Sequence, residues 1–250
     1  MINHTLYTNL NKIPKFVINL DRRKDRLASF EKEMQFIGWS FERFSAIDTN
    51  SYIGCALSHQ ALAKKILDAK YPYAIIMEDD IFFMPYAKEI LLKIDYELFN
   101  TNLNWSLFHF APSIHRPLQK YNQNLLDLTN LPPKDPNKHT SIFGTSAFIL
   151  TREACEYIIE WDTNKFIENS HRQIPIDSYM NNVVYPAIPS FCGVLPIVVQ
   201  RNNFSDINKT HDSNHYLMTY NWNVYCPDKL DGRMLDFDFC ENLKNYEQTK

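Results

Sequence analysis

Three consecutive carboxylates, Glu78-Asp79-Asp80, interrupt an apolar run that begins at Tyr73 and resumes as Ile81-Phe82-Phe83. Pro72 and Pro85 bracket the run, and its β-branched and aromatic residues read as one short buried strand. Adjacent acids in such a strand repel one another and are partly desolvated, so they call for a compensating cation. Side chains two apart in a strand share a side, which would place Glu78 and Asp80 together and Asp79 opposite. Hard oxygen ligands at that spacing suit Mg²⁺ or Mn²⁺ held against a phosphate-bearing ligand. The competing reading is structural, with the acids capping the next helix or meeting surface lysines.

The elements that must position these acids begin with Lys15–Leu20, a first strand that follows Pro14. Asp21 can cap a helix starting in Arg22-Arg23-Lys24-Asp25-Arg26, with Leu27, Phe30, Met34 and Ile37 on its buried face and Gly38 at its end. Cations in a first helical turn oppose the macrodipole, so either Asp21 and Asp25 or a bound phosphate compensates them. Trp39 to Ile47 reads as a second strand, with Asp48 just beyond it. Strand, helix, strand in this order predicts an α/β fold with a right-handed crossover and a mostly parallel central sheet flanked by helices. Such sheets bind ligands beyond the carboxyl ends of their strands. Asn19, Asp21, Asp48 and the acidic cluster all fall there, which points to a nucleotide or nucleotide-sugar site. Gly54 to His59 opens a further helix that runs to about Lys70, with Leu57, Ala61, Lys64, Lys65 and Leu67 patterned as its buried face. His59 sits near its start, either touching a ligand or serving the core.

Composition excludes several alternatives. Only 5 glycines occur in the 250 residues, and neither a Walker A pattern nor a dinucleotide fingerprint is present. A net charge of -3 gives no general attraction to nucleic acid or anionic lipid. Five scattered cysteines without a CxxC look like the reduced thiols of a cytoplasmic protein. No signal peptide or membrane span is legible, which predicts a soluble protein with at most peripheral membrane association.

Further along, Tyr86–Phe99 reads as a helix and Trp105–Phe110 as a strand. Residues 111–140 are rich in Pro, Asn and Lys and weakly patterned, and so read either as an acceptor loop or lid, or as a disordered insertion. A strand over Thr140–Leu150 leads to a helix over Glu153–Trp161 capped by Thr151. Asp177 falls at the start of a short helix after Pro175. A last core strand over Val194–Gln200 leads to Ser205, Asp206 and His211. Without an internal repeat or a clear linker, the chain reads as one domain. It divides into a nucleotide-sugar and metal half (1–110), a variable loop (111–140), an acceptor half (141–211) and a tail (212–250).

Several stretches together resemble glycosyltransferase family 25, the lipooligosaccharide galactosyl- and glucosyltransferases related to the collagen galactosyltransferases. They are Phe16-Val-Ile-Asn-Leu-Asp-Arg-Arg-Lys-Asp-Arg26, Gly54-Cys-Ala-Leu-Ser-His59, Ile75-Ile-Met-Glu-Asp-Asp-Ile81, Gly144-Thr-Ser-Ala-Phe-Ile-Leu-Thr-Arg152, Pro175-Ile-Asp-Ser178 and Pro196-Ile-Val-Val-Gln200 with Ser205. The resemblance implies a GT-A-like fold, a UDP-sugar donor (UDP-galactose favoured), Mn²⁺ or Mg²⁺, and inversion at the anomeric carbon. It also implies a glycan acceptor such as lipooligosaccharide, lipid-linked or soluble. By resemblance Asp80 is the direct metal ligand, with Glu78 assisting through water or ribose, and Gly144 and Thr145 border the sugars. Position alone makes His211 the candidate third metal ligand. Arg22 and Arg26 can counter phosphate charge, while Asn19 and Asp48, with Asp21 and His59 nearby, can contact the donor. Asp177 is either the general base or a helix cap. Two other classes stay open: a nucleotidyl- or phosphoryl-transfer enzyme, which needs a second acid pair, and a domain that binds nucleotide sugar or glycan without turnover. Residues 212–250 carry more acids than bases, against tight docking on an anionic membrane, so the expected location is the cytoplasm or the inner face of its membrane.

Overall fold

The computed structural model describes residues 9–49, 51–110, 112–114, 118–130, 142–162 and 175–201. His211, Ser205, Asp206 and the tail lie outside them. The chain runs through β1 (Lys15–Asn19), α1 (Lys24–Ile37), β2 (Glu42–Ser45), α2 (Tyr52–Asp68) and β3 (Tyr73–Glu78). It continues through β4 (Ile81–Phe83), α3 (Ala87–Asn100), β5 (Leu107–His109), β6 (Ser113–Ile114), β7 (Gln119–Lys120) and β8 (Leu125–Asp127). Then come β9 (Ile142–Phe143), β10 (Ala147–Thr151), α4 (Arg152–Ile159) and α5 (Ile176–Tyr179). A π-helical stretch Met180–Val184, α6 (Tyr185–Ala187), β11 (Ser190–Gly193) and β12 (Val198–Gln200) complete the described chain.

The central sheet has 8 strands in the order β2-β1-β3-β10-β5-β11-β8-β7. β1 pairs in parallel with both β2 and β3, and only β10 and β8 run against the rest. The inner strands are buried on both faces, which explains why they read as continuous apolar runs, whereas the edge strands β2 and β7 are largely exposed. Val17, Ile75, Met77 and Ile149 face α1 and α3, packing with Phe30, Met34, Leu91 and Ile94. Phe16, Ile18, Ala74, Ile76 and Phe148 face the opposite layer, where Ala56, Leu62 and Ile66 of α2 meet Ala154 and Ile158 of α4. Burying each large apolar side chain contributes roughly 1.5–3 kcal/mol, which fixes the carboxyl ends of β1 and β3 as a rigid platform. Among the described residues, no helix is long and apolar enough to cross a membrane.

The strand over Tyr73–Phe83 does not continue unbroken. It turns at Asp79-Asp80, and Ile81–Phe83 leaves the central sheet to pair antiparallel with β12. The alternation that would have put Glu78 and Asp80 on one side is therefore lost. The excursion at 111–140 is not uniformly loop: Gln119–Lys120 and Leu125–Asp127 form the far edge of the central sheet. Val194–Gln200 is not a core strand either; the core strand is Ser190–Gly193, and Val198–Gln200 belongs to the β4 pair. The proposed strand over Thr140–Leu150 is split at Gly144, whose φ of 90° suits glycine alone. Thr151 caps α4 as expected, accepting from the Ala154 N–H. Asp21 does not cap α1, where Arg23 takes the N-cap position without a side-chain bond. In α2 the buried face carries Ala56, Ser58, His59, Leu62, Ala63 and Ile66, not Leu57, Ala61 and Leu67. The second apolar stripe misled the reading because the helix is apolar over much of its circumference.

Candidate active site

The carboxyl ends of β1 and β3 hold two adjoining clusters, one on each side of the turn after Glu78. On one side, the Arg26 guanidinium donates to both Asp79 Oδ1 at 3.1 Å and Asp80 Oδ2 at 3.0 Å. Asn19, the last residue of β1, donates through Nδ2 to Asp79 Oδ2 at 2.6 Å and to the Arg23 carbonyl at 3.0 Å. From the far end of the described chain, Gln200 Nε2 donates to Asp80 Oδ2 at 3.0 Å and the Arg201 N–H to the Asp80 carbonyl at 2.6 Å. Asp80 is 5% exposed, and its Oδ1 is buried without a hydrogen-bond partner among the described residues.

Burial pushes the Asp80 carboxyl up to about 7; Arg26 opposes the shift, and repulsion from Glu78 and Asp79 adds to it. Burial likewise raises Asp79, tempered by Arg26 and Asn19. One arginine shared between two buried carboxylates leaves a deficit of positive charge. The orphaned Asp80 oxygen and the all-oxygen donor set of Asp79 and Asp80 fit a hard divalent cation.

Outward from this pair, Arg43 donates to Asn19 Oδ1 at 2.8 Å, the Asn19 carbonyl at 3.1 Å and Asp21 Oδ1 at 2.5 Å. Hydrogen bonds from Arg43 and Ser45 hold the Asp21 carboxyl below its usual range. Arg22 pairs with Asp48, and Arg23 with Asp25, which its guanidinium holds at about 2. The basic start of α1 is thus compensated by Asp25, Asp48 and the Asp79-Asp80 pair, whereas Asp21 turns to Arg43. A cavity of about 520 Å³ opens beside them, lined by Asn19, Asp21, Lys24, Leu27 and Arg43.

On the other side of the turn, Glu78 meets α2 and the Gly144-Thr145 turn. Its Oε1 lies 3.1 Å from His59 Nε2 and accepts from Thr145 Oγ1 at 2.5 Å and from Cys55 Sγ at 3.6 Å. Burial pushes the Glu78 carboxyl up, but the His59 bond and its neighbours outweigh that and leave it below its usual range. Cys55, His59 and Glu78 place one ligand atom each within 4.8 Å of the others. The start of α2 is held against the preceding loop: a Cβ on Gly54 would stand 2.3 Å from the Ile47 carbonyl, and Ser58 Oγ accepts from the Ile47 N–H at 2.8 Å.

Asp177, at the start of α5, accepts from the Ser178 N–H at 2.7 Å, with the Gly144 backbone N–H on the side that lowers its pKa. Burial raises its carboxyl, partly offset by those N–H groups, and the Glu78 charge adds to the rise. His109 ends β5 below the same turn, with Nε2 3.0 Å from the Gly144 carbonyl and its ring edge-on to Phe148 at 4.3 Å. Burial pushes the His109 imidazole down to about 4.

The structure therefore gathers Asn19, Arg26, Asp79 and Asp80 in one cluster and His59, Glu78, Gly144, Thr145 and Asp177 in the next. Arg22 and Asp48 pair at the rim. The expectation that Glu78 and Asp80 share one strand face is corrected: the chain turns between them, and they have separate hydrogen-bond partners. Sequence reasoning missed the roles of Asp79, Cys55, Arg43, His109 and Gln200. Of these, Asp79 carried a signal as a member of the acidic cluster and Cys55 as a residue one helical turn before His59.

The family model described as "Glycosyltransferase family 25 (LPS biosynthesis protein)" matches residues 49–180, just over half of the chain. The mostly parallel central sheet flanked by helices, with acids gathered at its strand ends, matches the α/β fold expected from the sequence. The chain belongs to glycosyltransferase family 25. Procollagen galactosyltransferase 2 of Mus musculus is 27% identical over 125 residues, covering 38% of this chain and 20% of that protein. The Homo sapiens protein of the same name is 22% identical over 194 residues, covering 66% of this chain and 29% of that protein. The chain thus matches less than a third of the length of these relatives. A solved glycosyltransferase involved in glycosylation of the major capsid of PBCV-1 is 14% identical, with a TM-score of 0.42 over 72% of this chain and 80% of that one.

Proposed function

We propose that this glycosyltransferase moves a hexose, galactose in the first place, from a UDP-sugar to a hydroxyl of a glycan acceptor, with inversion and with the help of Mn²⁺ or Mg²⁺. The observation that carries the reading is the buried Asp79-Asp80 pair at the end of β3, served by one arginine and leaving Asp80 Oδ1 without a partner. Asp80, with Asp79 beside it, would hold the cation; His211 is a further proposed ligand. When bound, a divalent cation would neutralise diphosphate charge and polarise the departing oxygen.

The chain's own groups divide the remaining work. Arg26 stays with the two aspartates, and Arg22, whose pair with Asp48 is 41% and 42% exposed, is the arginine that can turn to a phosphate at little cost. Asn19, Asp21 and Asp48, with Arg43, would hold the nucleoside around the cavity beside β1 and β2. Glu78 would meet the donor from the other side, steadied by His59 and Thr145, with Gly144 shaping the turn next to the sugar. Asp177 is the general base: its raised carboxyl is a stronger proton acceptor than an ordinary one, and the Ser178 N–H aims it. The acceptor oxygen loses its proton to Asp177 and bonds to the anomeric carbon on the face opposite the diphosphate. The bond from that carbon to the diphosphate oxygen breaks and UDP departs, which inverts the centre.

Galactose is favoured because both mammalian relatives are named galactosyltransferases, and the family description favours a lipopolysaccharide-type acceptor. Such an acceptor places the enzyme in the cytoplasm or at the inner face of the membrane. UDP release from UDP-galactose, UDP-glucose and UDP-N-acetylglucosamine, each with Mn²⁺ or EDTA, tests the reading. Metal-dependent release from one donor, lost in Asp80→Asn, is expected. Absence of release from any donor, with no thermal stabilisation by UDP plus Mn²⁺, would sink it.

A further inference from the structure

Cys55 and His59 lie one turn apart on α2 and therefore project from the same face. Both reach the end of β3, where Glu78 Oε1 stands 3.6 Å from Cys55 Sγ and 3.1 Å from His59 Nε2. In a tetrahedral zinc site, metal–sulfur bonds of about 2.3 Å and metal–nitrogen or –oxygen bonds of about 2.0–2.2 Å set neighbouring ligand atoms roughly 3.3–3.7 Å apart. Both separations from Glu78 stand near that spacing before any ion arrives, and all three ligand atoms lie within 4.8 Å of one another. We propose that Cys55, His59 and Glu78 bind one zinc-class divalent ion, distinct from the hard cation of the Asp79-Asp80 pair. Thr145 Oγ1, 4.0 Å from Cys55 Sγ and 2.5 Å from Glu78 Oε1, borders the fourth position.

The hydrogen bonding supports an ion here. Glu78 Oε1 is crowded by a thiol, an imidazole and a hydroxyl, while Oε2 takes no hydrogen bond among the described residues. Protons on the thiol and imidazole do in the metal-free protein what an ion would do in their place. On binding, the Cys55 sulfur–hydrogen bond breaks, its proton passes to solvent, and the sulfur electron pair bonds the metal. The proton on His59 Nε2 is released as Nδ1 takes one from solvent, so that the neutral imidazole bonds through its Nε2 lone pair. Thiolate, carboxylate, neutral imidazole and dication then sum to zero, which suits a largely buried site. The Glu78 side chain is 20% exposed, so an ion can reach it. Sulfur and imidazole select a softer ion than the all-oxygen pair across the turn. Cys155 and Cys192, the other described cysteines, are fully buried in the apolar core beside α4 and β11 and do not reach the site. The site shares Glu78 with the donor reading, but its test needs no UDP-sugar, so failure of one is distinguishable from failure of the other.

The test is titration of the chelator-stripped full chain with Co²⁺ and Zn²⁺ alone. One equivalent of Co²⁺ should give the intensified visible bands of a tetrahedral site and a thiolate-to-cobalt charge-transfer band, both displaced by Zn²⁺. Cys55→Ala should abolish the charge-transfer band and weaken binding at least tenfold, and His59→Ala should weaken it similarly. Asp80→Asn and the Cys226→Ser/Cys240→Ser variant should keep the spectrum. Near-isosteric Cys55→Ser, checked by circular dichroism, separates ligand loss from misfolding. A wild type without the stoichiometric spectrum, a charge-transfer band that survives Cys55→Ala, or binding lost with Asp80→Asn would each overturn the site. The three side chains would then be a hydrogen-bond hub that orients Glu78.

Discussion

The two sides of the Glu78-Asp79 junction solve the same electrostatic problem differently. Across the turn, Asp79 and Asp80 share one arginine, and one carboxylate oxygen has no partner. On the α2 side, one carboxylate oxygen has three partners. The consequences are opposite: Asp80 is raised to about 7 and Glu78 is lowered. Three adjacent acids are therefore not one motif. The buried carboxylate short of donors is the one the fold leaves under-compensated, whereas the donor-rich one is held by a thiol, an imidazole and a hydroxyl whose places an ion would take.

The comparison can be broken most decisively at Asp80. Asp80→Asn should cut turnover about a thousandfold or more, the several kcal/mol that charge stabilisation at the departing oxygen supplies, while the metal-free protein melts no lower than wild type. Steady-state UDP release and thermal unfolding in EDTA read the two effects. Asp177→Asn should lower kcat about 10²–10⁴-fold with little change in the donor KM, as loss of a general base does; initial-rate kinetics at varied donor concentration check this.

pH sharpens the contrast. Asp80 is raised in the fold, so the folded state binds its proton more tightly, and its contribution falls as pH climbs from about 4 towards 7. His109 is lowered to about 4, so the unfolded chain binds its proton more tightly, and its contribution is lost as pH falls from about 6.5 to 4, by about 3 kcal/mol. Denaturant melts across that range should show Asp80→Asn removing the falling component and His109→Phe removing the rising one. Thr145→Val takes one donor from Glu78 and should cost about 1–2 kcal/mol by the same melts. Arg22→Ala should cost under about 1 kcal/mol, because its ion pair is exposed, yet raise the donor KM.

Much of this fold was legible because apolar periodicity survives burial. The strand of Lys15–Asn19 and the Phe30, Met34 and Ile37 face of α1 follow directly from side-chain spacing. The turn at Asp79-Asp80 was not legible: an apolar run on both sides of the acids looks the same whether the chain goes straight or crosses to a second sheet. Gln119–Lys120 and Leu125–Asp127 were hidden among Asn and Pro because short edge strands carry little pattern. At the site, acids at strand ends announced themselves by type, but their partners did not. Arg43, Gln200 and His109 reach the acids or the Gly144 turn from strands far off in sequence, and pairing of that kind is set by topology.

The reach of Gln200 and Arg201 to Asp80 spans 120 residues of chain. Contacts that close so large a loop form late, since the chain must lose that freedom before the bond rewards it. During synthesis, β1, α1, α2 and β3 leave the ribosome well before residue 200 does. Until β12 arrives, the carboxylates at the end of β3 lack the Gln200 side chain and the Arg201 N–H. Completion of the Asp79-Asp80 cluster is thereby timed to the emergence of β12, after the β1 and β3 strands that carry it.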